Sequence, residues 1–180
     1  MVGQLVERIR QKDQRAMSQL YRHYVKELSS VCYRYVSDKD DVKDVLQNSF
    51  VKIFTTLPTI DYRGEEALWS WMRKVVVYES LNYLREWKKL KLVAIDEAPL
   101  PLTDEDSPQP ERLSSDQLHR LISELPNGYR TVVNLYIFEG YSHRQIAELL
   151  SIKESTSASQ LYFAKRLLAK RINELLNGKR

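Results

Sequence analysis

SHRQIAELLSIKESTSASQLYFAKRLL, residues 142–168, is the stretch on which the fold turns. Ser142 and Gln145 stand three apart at its start. That is the spacing of a capping box, in which a hydroxyl takes an orphan amide at a helix start and a glutamine reaches back. Ile146, Leu149 and Leu150 follow at helical steps and Ala147 is small where two helices must approach closely. Ile152 anchors a turn, and Leu161, Leu167 and Leu168 mark a second helix. This is helix-turn-helix spacing, although a two-helix corner in any bundle shares it.

Outward from that stretch the punctuation is all helical. Glycine (5) and proline (6) are scarce, and no run alternates in the manner of a strand. From Gln14 to Val36, Met17, Leu20, Tyr21, Tyr24, Leu28, Val31, Cys32 and Tyr35 recur at steps of three and four, which predicts a long amphipathic helix. Ser37 to Asp40 has capping-box-like spacing, and a second helix then turns Val42, Val45, Leu46, Ser49, Phe50 and Ile53 inward until Pro58 stops it. Turn residues fill 59–66, and a third helix, both aromatic and basic, is predicted from about Ala67 to Lys91.

Between residues 93 and 116 the composition changes. Pro99, Pro101, Pro108 and Pro110 sit among Asp96, Glu97, Asp104, Glu105, Asp106, Glu111 and Asp116, with only Arg112 opposing. Such a segment buries too little apolar area to offset its chain entropy and reads as an extended acidic linker. After it, Leu118, Leu121, Ile122 and Leu125 begin another helical set. Pro126 follows near a helix start, with Val132, Val133, Tyr136 and Ile137 as the expected inward face. The fold class expected is therefore all-α, two small helical domains at 1–92 and 117–180 joined by a linker at 93–116, without internal repeats.

The chain has 180 residues, 43% of them hydrophobic, and a formal charge of +4, which permits a polyanionic partner without requiring one. Cys32 is the lone cysteine, so no intramolecular disulfide forms, as expected for a reducing, cytoplasmic interior. The start, MVGQLVERIRQKDQ, has no apolar core behind a basic end, and no bilayer-length apolar run follows. His23, His119 and His143 are scattered, with neither Cys/His metal spacing nor a phosphate-cradling glycine loop. No cofactor, metal, catalytic residue or small-molecule substrate is expected. A ligand-sensing helix-turn-helix regulator and a purely interacting adaptor stand as alternatives to the function that follows.

Leu125-Pro126, Tyr129-Arg130, Glu139 to Ser142 and Ile146 to Glu148 stand at the spacings of one known pattern. The run LPNGYRTVVNLYIFEGYSHRQIAELL resembles the C-terminal domain of the extracytoplasmic-function sigma factors of bacterial RNA polymerase. Asp41 to Phe50 is similar to that family's segment for docking on the β′ clamp helices, and Tyr62 to Lys89 to its promoter-melting and minus-ten-reading helix. The helix-turn-helix departs from the family pattern in two ways: Ser151 and Ser155 stand where glycine is usual, and Ala158 and Gln160 where the recognition helix usually carries a basic residue or two. If position 151 needs positive φ, serine there costs about 1 kcal/mol. Asn48 replaces a commoner acid and Tyr78 a commoner asparagine.

The resemblance implies a promoter-specificity subunit, answering an envelope or extracellular signal, with core RNA polymerase (β′ clamp helices and β flap), promoter DNA and an anti-sigma factor as partners. Core docking falls by resemblance on Asp40, Asp41, Asp44, Val45, Gln47, Asn48 and Phe50. The minus-ten element falls to Tyr62, Arg63, Trp69, Arg73, Lys74, Tyr78, Asn82, Arg85 and Lys88. There interleaved aromatics and bases suit unstacked bases and a single-strand backbone. Trp71 and Leu84 read instead as core. The minus-thirty-five element falls to Arg144, Gln145, Lys153, Ser155, Thr156, Ser157, Ser159, Gln160, Tyr162, Lys165 and Arg166. Of these, Gln160 is suited to adenine, Thr156 to a thymine methyl, and the cations to phosphates.

Overall fold

A computed structural model describes residues 2–86 and 113–177. The chain divides into two compact units, Met1–Trp87 and Lys88–Arg180. Every regular element among the described residues is helical. The acidic segment at 93–112, Lys88, and the expected end of the third helix at Lys91 lie outside the described residues.

Unit 1 is built from α1 (Val2–Arg10), α2 (Gln14–Tyr33), α3 (Lys39–Thr56), a 3-10 turn (Leu57–Thr59) and α4 (Glu65–Glu86). The first helix was not read from the sequence. Its nine residues carry only Val2, Val6 and Ile9 as a core stripe, and all three are buried. It packs on α2 and on the 3-10 turn. The α1–α2 corner is closed by a Schellman pair, with the Asp13 amide donating to the Arg8 carbonyl at 3.1 Å and the Lys12 amide to that of Ile9 at 2.9 Å. Lys12 holds the left-handed conformation this requires, φ 61°. Asp13 then caps α2, accepting from the Arg15 and Ala16 amides, and pairs with Arg8 at 2.7 Å.

The cap of α3 is Asp38 rather than Ser37: its side chain accepts from the amides of Asp40 and Asp41. A carboxylate at this position also complements the positive end of the helix dipole. Leu20, Leu28, Val31, Cys32, Tyr35, Ile53, Met72, Val76, Leu81 and Leu84 fill the space between α2, α3 and α4. Cys32 accepts a weak bond from the Ser80 hydroxyl at 3.6 Å, and burial pushes its thiol up to about 11. It is unreactive at neutral pH.

Unit 2 comprises α5 (Ser115–Ser123), α6 (Asn127–Val133), a π-helical turn (Asn134–Phe138), α7 (His143–Leu150) and α8 (Glu154–Asn177). A full capping box at Ser114 and Gln117 starts α5 at Ser115, inside the segment expected to be linker. In the π turn the Glu139 amide reaches the Asn134 carbonyl five residues back at 3.0 Å. Arg130 to Leu135 are all buried, and Leu135 is the last of this run. Tyr136 and Ile137, expected inward, are instead exposed because the burial of this stretch ends at Leu135, and Tyr136 stacks on His143 at the surface.

Ser142 and Gln145 form the capping box that the sequence indicated, and Ser151 ends α7 in the left-handed region at φ 56°. Serine therefore carries a strain of about 1 kcal/mol there that glycine would not. Ser151→Gly should raise the melting temperature of unit 2 by several degrees in calorimetry, since about 1 kcal/mol shifts a small domain by 4–8 °C. An unchanged or lower melting temperature would contradict the strain.

Candidate nucleic-acid interface

On α3 the helical phase separates two sets of residues that the sequence had grouped. Asp40, Asp44, Gln47 and Asn48 are exposed on one face, with Asp41 half-buried beside them, and Lys43 pairs with Asp40 at 2.7 Å. Val45 and Phe50 point the other way and are buried, 2% and 4% exposed. Val45 offers no surface to a partner; Phe50 packs on Tyr21, with ring centroids 4.6 Å apart, and with it lines the groove between α2 and α3. Val51, which the sequence reading passed over, stands in the middle of the polar face with 58% of its surface exposed. Its signal was an apolar residue at a polar helical phase. With Tyr21, Val25, Gln47, Phe50 and Phe54 it lines an open groove of about 530 Å³ between α2 and α3.

On α4, Lys74, Tyr78, Asn82 and Arg85 fall within about 80° of one another at 100° per residue. Lys74, Tyr78 and Arg85 are exposed and Asn82 is half-buried. Trp71 shares this face and is not core: it is half-buried and, with Tyr62, Arg63, Ile60, Asp61 and Leu68, lines a cavity of about 130 Å³. Leu84 is core as expected. Trp69 and Arg73 lie on a different side of α4, and the structure does not bring them to the Lys74 face. Trp69 stacks on Tyr24 at 5.9 Å. Burial, and then the charge of Glu65, pushes the Tyr24 phenol up to about 12, and its hydroxyl donates to Glu65 Oε1 at 3.3 Å. The loop below enters α4 through Gly64 at φ 105°, and Arg63 pairs with Asp61 at 3.0 Å.

On α8 the hydroxyl-rich segment divides in the same way. Ser157, Gln160, Leu161, Ala164 and Leu168 share one inward stripe, and all are buried. Gln160 is fully covered, 0% exposed, which contradicts its assignment as a free reader of adenine. Thr156 at the edge of the stripe is buried as well, and so is Ser159, although its helical phase falls with Ser155 and Arg166 rather than with the stripe. Ser157 meets His143 Nδ1 at 3.0 Å, and the imidazole stacks on Tyr136 at 4.6 Å, so Ser157 joins the two helices of the motif. Burial foremost, then Lys165, lowers the His143 pKa against a raising effect of Glu154, which keeps the ring neutral at pH 7. Gln145 is exposed, but its side-chain oxygen accepts from the Ser142 amide at 2.9 Å. The face that remains outward consists of Ser155, Ala158, Tyr162, Lys165 and Arg166, with Arg166 6.0 Å from the Tyr162 ring centre. Lys153 and Arg144 are exposed beside it, Arg144 paired with Glu148 at 3.3 Å.

The profile of Sigma-70 region 2 matches residues 20–89, and that of Sigma-70, region 4, residues 115–168. A protein of Haemophilus influenzae described as an ECF RNA polymerase sigma-E factor is 31% identical over 184 residues, covering 96% of this chain and 95% of that one. The chain belongs to the extracytoplasmic-function sigma factors. The RNA polymerase sigma-H factor of Pseudomonas aeruginosa is 29% identical over 96% of this chain and 94% of its own length. Among solved structures, that of CnrH in complex with the cytosolic domain of CnrY matches with 20% identity and a TM-score of 0.47 over 94% of this chain and 95% of that one. As a sigma factor of the sigma-70 family, the protein is a regulatory DNA-binding protein that directs RNA polymerase to specific promoters, with its helix-turn-helix in region 4.

The family motifs turn out to be largely structural in unit 2. Arg130 is buried and caps the end of α5, donating through Nη1 to the Ser123 carbonyl and through Nη2 to Asn127 Oδ1, each at 2.6 Å. Burial lowers its pKa, though a guanidinium remains charged at neutral pH. Gly140 supplies φ 72° before the Ser142 cap. Among the described residues no His, Cys, Asp and Glu cluster could hold a metal, and no helix is long and apolar enough to cross a membrane.

Two substitutions separate the outward face of α8 from the inward one. Lys165→Ala should weaken binding to all promoter sequences alike and lower the salt dependence of binding by about one phosphate contact. Gln160→Ala should chiefly lower the melting temperature of unit 2. Paired melting curves and binding titrations across a promoter library check both, and a specific change in base preference with unchanged melting would restore Gln160 as a reader.

Proposed function

We propose that residues 1–92 form the part that docks on core polymerase and captures the melted minus-ten strand, and that residues 117–180 hold duplex DNA at the minus-thirty-five element. The observation that carries this reading is the outer face of α4, where Lys74, Tyr78, Asn82 and Arg85 lie beside the cavity lined by Tyr62 and Trp71. Opening a duplex needs aromatic surfaces for unstacked bases and a cationic track for the strand, and this face supplies both. The cavity takes one base extruded from the stack. The polar face of α3, with Asp40, Asp44, Gln47, Asn48 and the exposed Val51, is the docking surface for the β′ clamp helices. The β flap engages unit 2.

On α8, Lys165 and Arg166 grip phosphates while Ser155 and Tyr162 approach the bases, with Lys153 and Arg144 at the edges. Such a grip is electrostatic and modest in readout, so the unit binds weakly alone and becomes specific when polymerase holds both units on one promoter. The protein acts in the cytoplasm, performs no catalysis of its own, and is held inactive by an anti-sigma factor until an envelope or extracellular signal releases it.

Reconstituted transcription tests the reading: core enzyme with this protein should initiate selectively at a subset of genomic promoters, and unselective or absent initiation would overturn it. Within that assay Lys74→Ala and Arg85→Ala should reduce open-complex formation several-fold more than initial duplex binding, as permanganate footprints and gel shifts would report. Equal loss at both stages would count against a strand-capturing role for this face.

A further inference from the structure

Residues 2–10 precede the segment matched by the region 2 profile, which begins at residue 20, yet α1 reaches the loop that walls the base-sized cavity. Arg10 Nη2 donates to the Ile60 carbonyl at 2.9 Å across fifty residues of chain. A Cβ built on Gly3 would meet Tyr62 Cε1 at 3.1 Å, so the Tyr62 ring lies against the bare backbone of the helix. Ile60 and Tyr62 are two walls of the cavity, and Trp71 and Leu68, both on α4, are others. One wall is thus carried by a long packed helix, while the other is a loop braced by α1 at Ile60 and Tyr62 and entered from a 3-10 turn that packs on both α1 and α3.

The support is itself stiff. Val2, Val6 and Ile9 anchor α1 in the core, and the Schellman pair and the Arg8–Asp13 ion pair fix its exit. Arg10 is further aimed by Glu7, whose carboxylate lies 3.1 Å from Nη1. A cavity of about 130 Å³ is far below the roughly 300–1,000 Å³ that holds a drug-sized ligand. It has room for a single flat ring, and its selectivity depends on wall positions held to within a fraction of an ångström.

We infer that α1 is part of the base-selecting apparatus: Arg10 and Gly3 are positioning residues that set the Ile60–Tyr62 wall and thereby decide which extruded base the cavity accepts. The inference rests on the strand-capturing role proposed for unit 1. It assigns to the first ten residues a specificity function that motif matching, starting at residue 20, does not reach.

The test uses the full chain with core polymerase and promoter templates permuted at each position of the melted segment. Arg10→Met keeps the side-chain length and removes the donor, while Arg10→Lys returns a single donor. Arg10→Met should lower selectivity at one position by about three- to tenfold, the range spanned by one lost hydrogen bond, and leave the other positions unchanged. Arg10→Lys should restore most of it, and Gly3→Ala, by displacing Tyr62, should disturb the same position. Melting curves verify that each variant is folded. Full selectivity retained by Arg10→Met, or a uniform loss across all positions in a folded variant, would overturn the inference while the strand-capturing role stands. A parent protein with no preference at any melted position would overturn both.

Discussion

Short helices meeting at tight corners must satisfy the amides and carbonyls that their ends leave open, and this constraint governs both units. Neither unit is large enough for a deep core to impose the corner angles alone. Polar interactions do so instead. Arg130 spans the α5–α6 corner, the Ser142 box sets the entry of α7, and Asp13 closes α1 onto α2. Each is worth on the order of 1 kcal/mol, and together they determine where the outward faces point. Loss of one such group misaims a face as well as destabilising a helix.

Local chemistry explains which parts of the fold were legible in the sequence. The Ser142 box and the helix α2 depend on neighbours within a few positions, and the residues name their own conformations, whereas the left-handed residue at 151 was legible only through the family's glycine there. Asp38 and Ser37 are adjacent and equally able to cap, so only the backbone path chose between them. The π turn has no local signature, and Tyr136 and Ile137 keep the period of the preceding turns yet lie beyond the end of the core, which periodicity alone does not mark. Helix α1, nine residues with three apolar contacts, has too little pattern to stand out before its partners are known.

The candidate sites were legible in residue type and less so in phase. Gln160, Ser157, Val45 and Phe50 were assigned to contacts because of what they are or where they fall in a motif, yet all four share a helical phase with core residues. Leu161, Ala164 and Leu168 mark the inward stripe of α8, and Gln160 falls within it. Conversely, Val51 and Trp71 were overlooked because apolar and aromatic residues default to the interior. Helical phase relative to the nearest fully apolar stripe is the better guide in both directions.

On the proposed roles, the charged faces of α3 and α4 suit two partners of opposite sign. Exposed carboxylates at Asp40 and Asp44 stand on one face of α3, and exposed cations at Lys74 and Arg85 on one face of α4, while the two helices pack through their apolar sides and a Lys52–Glu79 ion pair at 2.9 Å. Surface charges are screened beyond roughly 8–10 Å at physiological salt, so each of these faces, rather than the whole helix or the chain's net +4, sets the local field. An acidic face repels nucleic acid and admits a basic protein surface, and the cationic face does the reverse. On the roles proposed for the two faces, orientation on the polymerase is coupled to orientation on the promoter, because seating the acidic face of α3 fixes where the cationic face of α4 points.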